Sequence, residues 1–489
     1  MKKQTLTGIA VAVAVLAGGY VAATAYTSYK VAAQIEAQVA RVKEQLSFVQ
    51  FIDTKMDRGL FSSTFSTGVC IGCANADSPK DGSPAGQPFI IQVKEQIYNG
   101  PLPGLAGFGA AVIDSQITLP DSVPAPLRNY VNGLKPGDMR GYLSYGNSYR
   151  AVMRLPAAEF ELDDQGGKLG WPEWRMTAAG QFSGESGVVD LTLPELNFHV
   201  DKGSLKIAGL SMHSEVHGSG GGLWMQPGAG TVKIGSIDLQ APDGDEPFSM
   251  QISHLNYEEK ITRDSNDLLG IEAAITGDAS VQAGKDAKPH RLENVEFQVS
   301  YKNIHAPTFQ KYIQGSIAAS VAEFAELIDA ARNGNETPAT ARSAQARRAQ
   351  QEMALLLPLL QYDPAFSVDK LALTYEGHRG ELSFSMGTHG FAPQEGDTAL
   401  MAMPRLIQAL TLRSNVKLPV AWVEQAIALE RKEQGQQADA QDQPAAKSMI
   451  QSALDMLIAK GYVIRDGDML TSSAVSERGV VNVNGKPLQ

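Results

Sequence analysis

The sequence predicts an α+β protein that is mostly antiparallel β, a long curved sheet or sandwich with two helical insertions and one N-terminal transmembrane helix. Three observations predict it. Phe89–Ile97, Leu205–Val216, Thr231–Leu239 and Val295–Ile304 alternate apolar with polar side chains, and a period of two puts one face of each strand in a core and the other toward water. The 489 residues include 47 glycines and 25 prolines but only 19% charged residues, which suits short strands joined by turns better than a helical bundle or disorder. No charge occurs from Leu6 to Tyr26, about the ~20 residues a helix needs to cross a bilayer core of roughly 30 Å.

Residues 1–5 form a cytoplasmic N-terminus, because Lys2 and Lys3 precede the apolar run and the next charge is Lys30. Residues 6–26 are the anchor. A cleaved signal peptide is the competing reading, with Ala23-Thr24-Ala25 as the small-residue cut site. The length of the run and the aromatic Tyr20, Tyr26 and Tyr29 near its outer end favour retention. Either way the bulk is exported, which places the protein at the cell inner membrane, single-pass, with its mass in the periplasm. Residues 27–50 continue as a membrane-proximal helix, since Val31, Ile35, Val39, Val42 and Leu46 recur at steps of three and four. That stripe has two expected uses, packing on the chain's own sheet or pairing with a twin helix in a homodimer.

Residues 51–304 read as successive strands, the makings of an extended antiparallel sheet. Residues 305–360 break the rhythm: Phe309, Tyr312, Ile313, Ile317, Val321, Phe324, Leu327 and Ile328 make one helical face, ended by Asn333-Gly334-Asn335. A second helix over Ala339–Leu357 completes a hairpin. Strands return in 361–418, at Phe366–Tyr375, Gly380–Met386 and Leu406–Leu418. The second insertion, 419–460, pairs Val420–Gln434 with Ala446–Lys460 across the polar link Gln434–Pro444. Gly461 ends it, and 461–489 closes the chain as a β-hairpin.

A formal charge of −11 with no dense basic block excludes nucleic acid as a partner, and Arg342, Arg347 and Arg348 suit a solvated helical face. Cys70 and Cys73 are expected to form a small local disulfide in an exported chain. A redox role would want a βαβ setting, and zinc would want further ligands. His213, Glu215 and His217 share one face of a strand, as metal ligands or as a solvent-facing polar face. The glycine-rich Gly218–Gly222 lacks the partners of a phosphate-binding loop and reads as a turn that exposes Trp224 and Met225 to lipid or a protein partner. Gly184-Glu185-Ser186-Gly187 is one residue short of a nucleophile elbow. No catalytic residue, cofactor or metal is assigned, and the expectation is a protein that is not an enzyme.

Three segments carry a resemblance. Asp57-Arg58-Gly59-Leu60-Phe61-Ser62-Ser63 is similar to the early strand motif of the YdgA/YihF family of bacterial envelope proteins. Tyr98-Asn99-Gly100-Pro101-Leu102-Pro103 looks like that family's His-Gly-Pro-aromatic-Pro turn, with Asn99 in place of the His and Leu102 in place of the aromatic. Val481-Asn482-Val483-Asn484-Gly485-Lys486-Pro487-Leu488 resembles its terminal strand and Asn-Gly turn. The resemblance implies a retained anchor and a periplasmic body, supplies no catalytic residues, and does not include the cysteine pair. The expected function is non-enzymatic binding of a lipid or other hydrophobic envelope component on an apolar sheet face. The alternative is a self-associating scaffold that recruits envelope proteins.

Overall fold

A computed structural model describes residues 21, 23–37, 39–40, 49–71, 89–161, 167–181, 186–218, 226–241, 247–284, 288–316, 355–394, 397, 399–425 and 454–488. The chain divides into two compact units.

Unit 1 comprises Met1–Asp201, Ala208–Gly228 and Ile313–Arg342. It opens with a meander of β1 (Val49–Asp57), β2 (Ser62–Ile71), β3 (Ile90–Asn99), β4 (Ala111–Thr118), β5 (Met139–Leu143) and β6 (Ser148–Leu155), each antiparallel to the one before. β7 (Ala158–Glu161) and β8 (Lys168–Trp171) form a hairpin, and β9 (Trp174–Gln181) returns to pair with β6. β10 (Ser186–Val200) pairs with β9 along its first half and with β8 along its second, and β11 (Gly203–His217) follows.

Residues directly opposite across strands share a face of the sheet. The register therefore aligns Ile97, Ile113, Gly141, Ala151, Ala178 and Val189 in one row from β3 to β10. Against this face lies the helix of residues 23–37. Its Val31 and Ile35 are buried with Phe65, Ile97, Ala111 and Leu143, and Val39 packs at the margin. The expected stripe thus packs on the chain's own sheet at Val31, Ile35 and Val39; Val42 and Leu46 lie outside the described residues. The other face is polar. Gln96, Asp114 and Arg140 are neighbours there, and buried Asp114 accepts two hydrogen bonds from Arg140, at 2.6 and 2.9 Å. That bidentate pairing holds the guanidinium charged well above its ordinary range. A short helix over Ala125–Asn132, absent from the sequence reading, seats Tyr130 edge-on against Phe160 and Trp171.

Unit 2 comprises Lys202–Ile207, Ala229–Tyr312 and Ser343–Gln489. Its strands begin long, with β12 (Gly228–Ala241), β13 (Phe248–Arg263), β14 (Leu268–Ala283) and β15 (His290–His305). They continue with β16 (Ala365–Tyr375), β17 (His378–Thr388), β18 (Leu410–Pro419), β19 (Ile464–Asp466), β20 (Met469–Glu477), β21 (Val480–Val483) and β22 (Lys486–Pro487). From β13 to β18 each strand is antiparallel to its predecessor, and β20 then pairs with β18. Each unit is thus a long open antiparallel sheet, which resolves the choice between sheet and sandwich.

A third returning strand is expected from Leu406, but residues Ala399–Ala409 are helical and the strand begins at Leu410. Ala402, Leu406 and Ala409 stand at steps of four and three, a helical period, and pack against Leu357 and Phe391. Of the two expected helical insertions, residues 306–316, 420–425 and 454–460 are helical and the remainder lies mostly outside the described residues. Gly461 ends the last helix with φ +74°, a left-handed turn that glycine adopts freely, and its N–H donates to the Ile458 carbonyl at 2.8 Å. Among the described residues no helix is long and apolar enough to cross a membrane. The expected anchor, 6–26, lies largely outside them, apart from Val21 and residues 23–26.

Candidate apolar binding surface

Period-two alternation in unit 2 leads to an apolar face. The register sets Ile261, Ile271, Tyr301, Phe366, Met386 and Leu412 side by side from β13 to β18. A parallel row runs through Tyr257, Ile275, Phe297, Leu371, Leu382 and Val416. Between Val368 and Leu371 the register shifts, and this irregularity returns Leu371 to the face that Phe366 and Val368 occupy. Without it, every side chain beyond would point to the opposite face.

Over the β15–β17 part of the first row lies a cavity of about 420 Å³. Its floor is Tyr301, Phe366 and Met386, and its walls are Phe309 and Tyr312 from the helix of 306–316, Leu359 and Leu360, and Leu406. The Tyr301 and Phe366 rings stand 4.9 Å apart, and those of Phe309 and Tyr312 5.8 Å apart. No charged side chain lines it. Tyr301 remains 40% exposed and Met386 41%, so the floor opens to its surroundings. Such a site offers dispersion and desolvation with almost no directional hydrogen bonding, which suits a flexible hydrocarbon better than a polar metabolite.

In unit 1 the two early motifs meet the N-terminal helix. Ser28 donates to the Gly59 carbonyl at 2.9 Å, and Arg58 pairs with Glu36 at 2.6 Å. Gly100 has φ +112°, and a Cβ there would come within 2.6 Å of the fully buried Thr24 hydroxyl oxygen. Asn99, also buried, donates to Ser63 Oγ at 3.1 Å. The Arg-Gly and Asn-Gly-Pro motifs therefore have a structural role, because together they form the seat of the helix.

His213, Glu215 and His217 do share one face of β11. His213 bridges Asp190 on β10 at 2.7 Å and Glu215 at 3.0 Å, and His217 meets Glu215 at 3.2 Å. The hydrogen bond with Asp190, then that with Glu215, pushes the His213 pKa up, and the hydrogen bonds from His213 and His217 hold that of Glu215 down. All four are solvent-exposed, and among the described residues no group of side chains has a metal-holding arrangement. Cys70 is completely buried at the end of β2, and Cys73, with the expected pairing, lies outside the described residues. Trp224 and Met225 lie outside them as well. The alternation of Phe366, Val368, Phe384 and Met386 marks an apolar strand face in the sequence but does not mark these residues as a site.

The sequence model of a family described as a bacterial protein of unknown function (DUF945) matches residues 1–489. No curated protein and no solved structure matches the chain.

Proposed function

The chain belongs to the DUF945 family of bacterial proteins, and from that premise we propose that it is a non-enzymatic, inner-membrane-anchored periplasmic protein that holds the acyl part of a lipid on its apolar sheet face. We further infer a kinship with the YdgA/YihF family of envelope proteins, which the Arg58-Gly59 and Asn99-Gly100-Pro101 motifs resemble. The observation that carries the lipid reading is the cavity of about 420 Å³ over Tyr301, Phe366 and Met386, continuous with a row of apolar side chains and free of charged lining residues. Its volume falls within the ~300–1,000 Å³ usual for small-molecule sites. Retention of the anchor is supported by Thr24, which packs fully buried against Gly100 and would be lost or left as a new terminus by a cut at Ala23-Thr24-Ala25. The self-associating scaffold is the weaker reading, since Val31 and Ile35 of its contact stripe are buried in the chain's own core.

The test is to purify the full chain, extract it with organic solvent, and identify lipid by mass spectrometry, with a fluorescent fatty acid titrated in parallel. Co-purified lipid and saturable fatty-acid binding are expected, weakened at least about tenfold by Phe366→Asp or by the cavity-filling Met386→Trp. No bound lipid, or an affinity unchanged in both variants, would overturn the reading.

A further inference from the structure

In an antiparallel meander successive turns alternate between the two ends of the sheet. The turn 58–61, the loop 100–110 and the turn 144–147 therefore gather at one end of unit 1, and the segment 119–138 lies at the other. Hydrogen bonds tie the first three together: Asn99 N–H to the Phe61 carbonyl at 2.8 Å, Gly100 N–H to that of Ala110 at 3.1 Å, and Ala110 N–H to that of Leu143 at 2.8 Å. Residues 24–28 of the N-terminal helix lie at this same end, where Thr24 meets Gly100 and Ser28 meets Gly59.

The two ends differ in chemistry. No charge occurs from Asn99 to Ile113 or from Gly141 to Tyr149, whereas 119–138 carries Asp121, Arg128, Lys135 and Asp138. The end with the uncharged loops is also where large apolar side chains stand in solvent: Leu105 is 89% exposed and Phe108 80%, and Phe61 and Leu102 are about half exposed. Leu105 is held outward on a left-handed backbone, φ +58°, directly after Gly104 at φ +56°. A non-glycine residue in that region carries strain of order 1–3 kcal/mol, which marks a position shaped for something besides folding. Around the helix start, exposed Tyr26 lies 5.5 Å from the Lys30 ammonium, and Tyr29 lies 5.9 Å from the Arg58 guanidinium. Tyrosine beside a cation is the chemistry of a membrane–water interface.

We propose that this end of unit 1 rests on a lipid bilayer, with Leu105 and Phe108 inserted at headgroup level. The inference rests on the anchored reading above, because the sequence before this helix is the uncharged run from Leu6, which as an anchor would deliver this end to the membrane. A bilayer fits better than a second copy of the chain. The apolar side chains project from two separate turns, which suits a fluid interface, whereas a rigid partner requires a flat complementary surface. This end docks the protein and sets the height of the sheet above the membrane.

The experiment reconstitutes the full chain in phosphatidylcholine–phosphatidylglycerol vesicles that contain a phosphatidylcholine with a photoactivatable acyl chain, and maps the adducts by mass spectrometry. Adducts on 101–109 and Phe61 are expected at several times the level on Val480 and Val481, which are exposed apolar residues of unit 2. In Leu105→Asp/Phe108→Asp they should vanish while adducts within 6–20 and the circular dichroism spectrum persist. Adducts confined to 6–20, labelling of 101–109 no stronger than that of 480–481, or cross-links from 101–109 to another copy without lipid would each overturn the proposal. Adducts on 101–109 with none on 6–20 would uphold the seat and overturn the anchor. Labelling of Phe309, Phe366 or Met386 reports separately on the cavity.

Discussion

The two units present the same kind of apolar sheet face and treat it differently. In unit 1 the face is covered by the chain's own N-terminal helix, so Ile97 is 1% exposed and Phe65 and Leu143 are nearly as deeply buried. In unit 2 the corresponding face carries larger side chains, yet Tyr301 and Met386 keep about two-fifths of their surface exposed. Alternation in a strand specifies that one face is apolar, but it does not say what will cover it. The covered face contributes stability; the open one has apolar area left to offer a ligand.

That contrast can be broken most sharply at Ile97. Ile97→Ala would leave a void beneath the helix and should cost about 2–5 kcal/mol, as for other large-to-small changes in well-packed cores. Hydrogen exchange resolved by peptide should show the loss in β2–β5 of unit 1. An equal loss in unit 2 would mean that the two cores are not distinct.

Gly100→Ala comes next. At φ +112° any Cβ is strained, and this one would meet Thr24 within 2.6 Å. The expected cost is about 1–3 kcal/mol, with faster proteolysis in residues 23–37 as the helix lifts from its seat. Thr24→Ala should recover part of the loss by removing the clash but not the φ penalty. If Gly100→Ala leaves the helix protected, the seat is not what holds it.

Substitution on the open face should separate stability from binding. Met386→Asp removes a side chain that is already 41% exposed, and should cost less than about 1 kcal/mol of stability. The same change places a carboxylate on the cavity floor and should abolish fatty-acid binding. A stability loss as large as that of Ile97→Ala would show this face to be covered after all.

How much of this was legible in the sequence follows the same division. The strands Leu205–Val216 and Val295–Ile304 were readable because alternation is local, and their observed bounds, Gly203–His217 and His290–His305, extend the same pattern. The stripe Val31, Ile35, Val39 was readable as an amphipathic helix, but its partner was not, since Phe65, Ile97 and Leu143 come from three distant strands. The cavity was illegible for the same reason: Tyr301, Phe366 and Met386 become neighbours only through strand register. The strand expected from Leu406 failed because Ala402, Leu406 and Ala409 satisfy a helical period, and tertiary packing on Leu357 and Phe391 decided between the periods. The exposure of Leu105 and Phe108 was not legible because a single loop of small and apolar residues gives no hint that the turns 58–61 and 144–147 lie beside it.

The smallest expected effect tests whether the polar network on β10 and β11 is only a solvated face. Partners raise the His213 pKa above its ordinary value of 6.5, so the protonated imidazole favours the folded state. That contribution is fully present below pH 6.5 and lost as pH rises through the folded-state value. Glu215 is shifted down from 4.5, so its contribution is present above pH 4.5 and lost as pH falls through its folded-state value. Both act together between those two pH values, and His213→Gln should flatten the part of the stability profile above pH 6.5. Because every member of the network is solvent-exposed, the change should be a slight shift in denaturation midpoint that shrinks further with added salt. A large, salt-insensitive shift would mean that this face is covered in solution, and the division between a packed inner face and a solvated outer face of unit 1 would no longer hold.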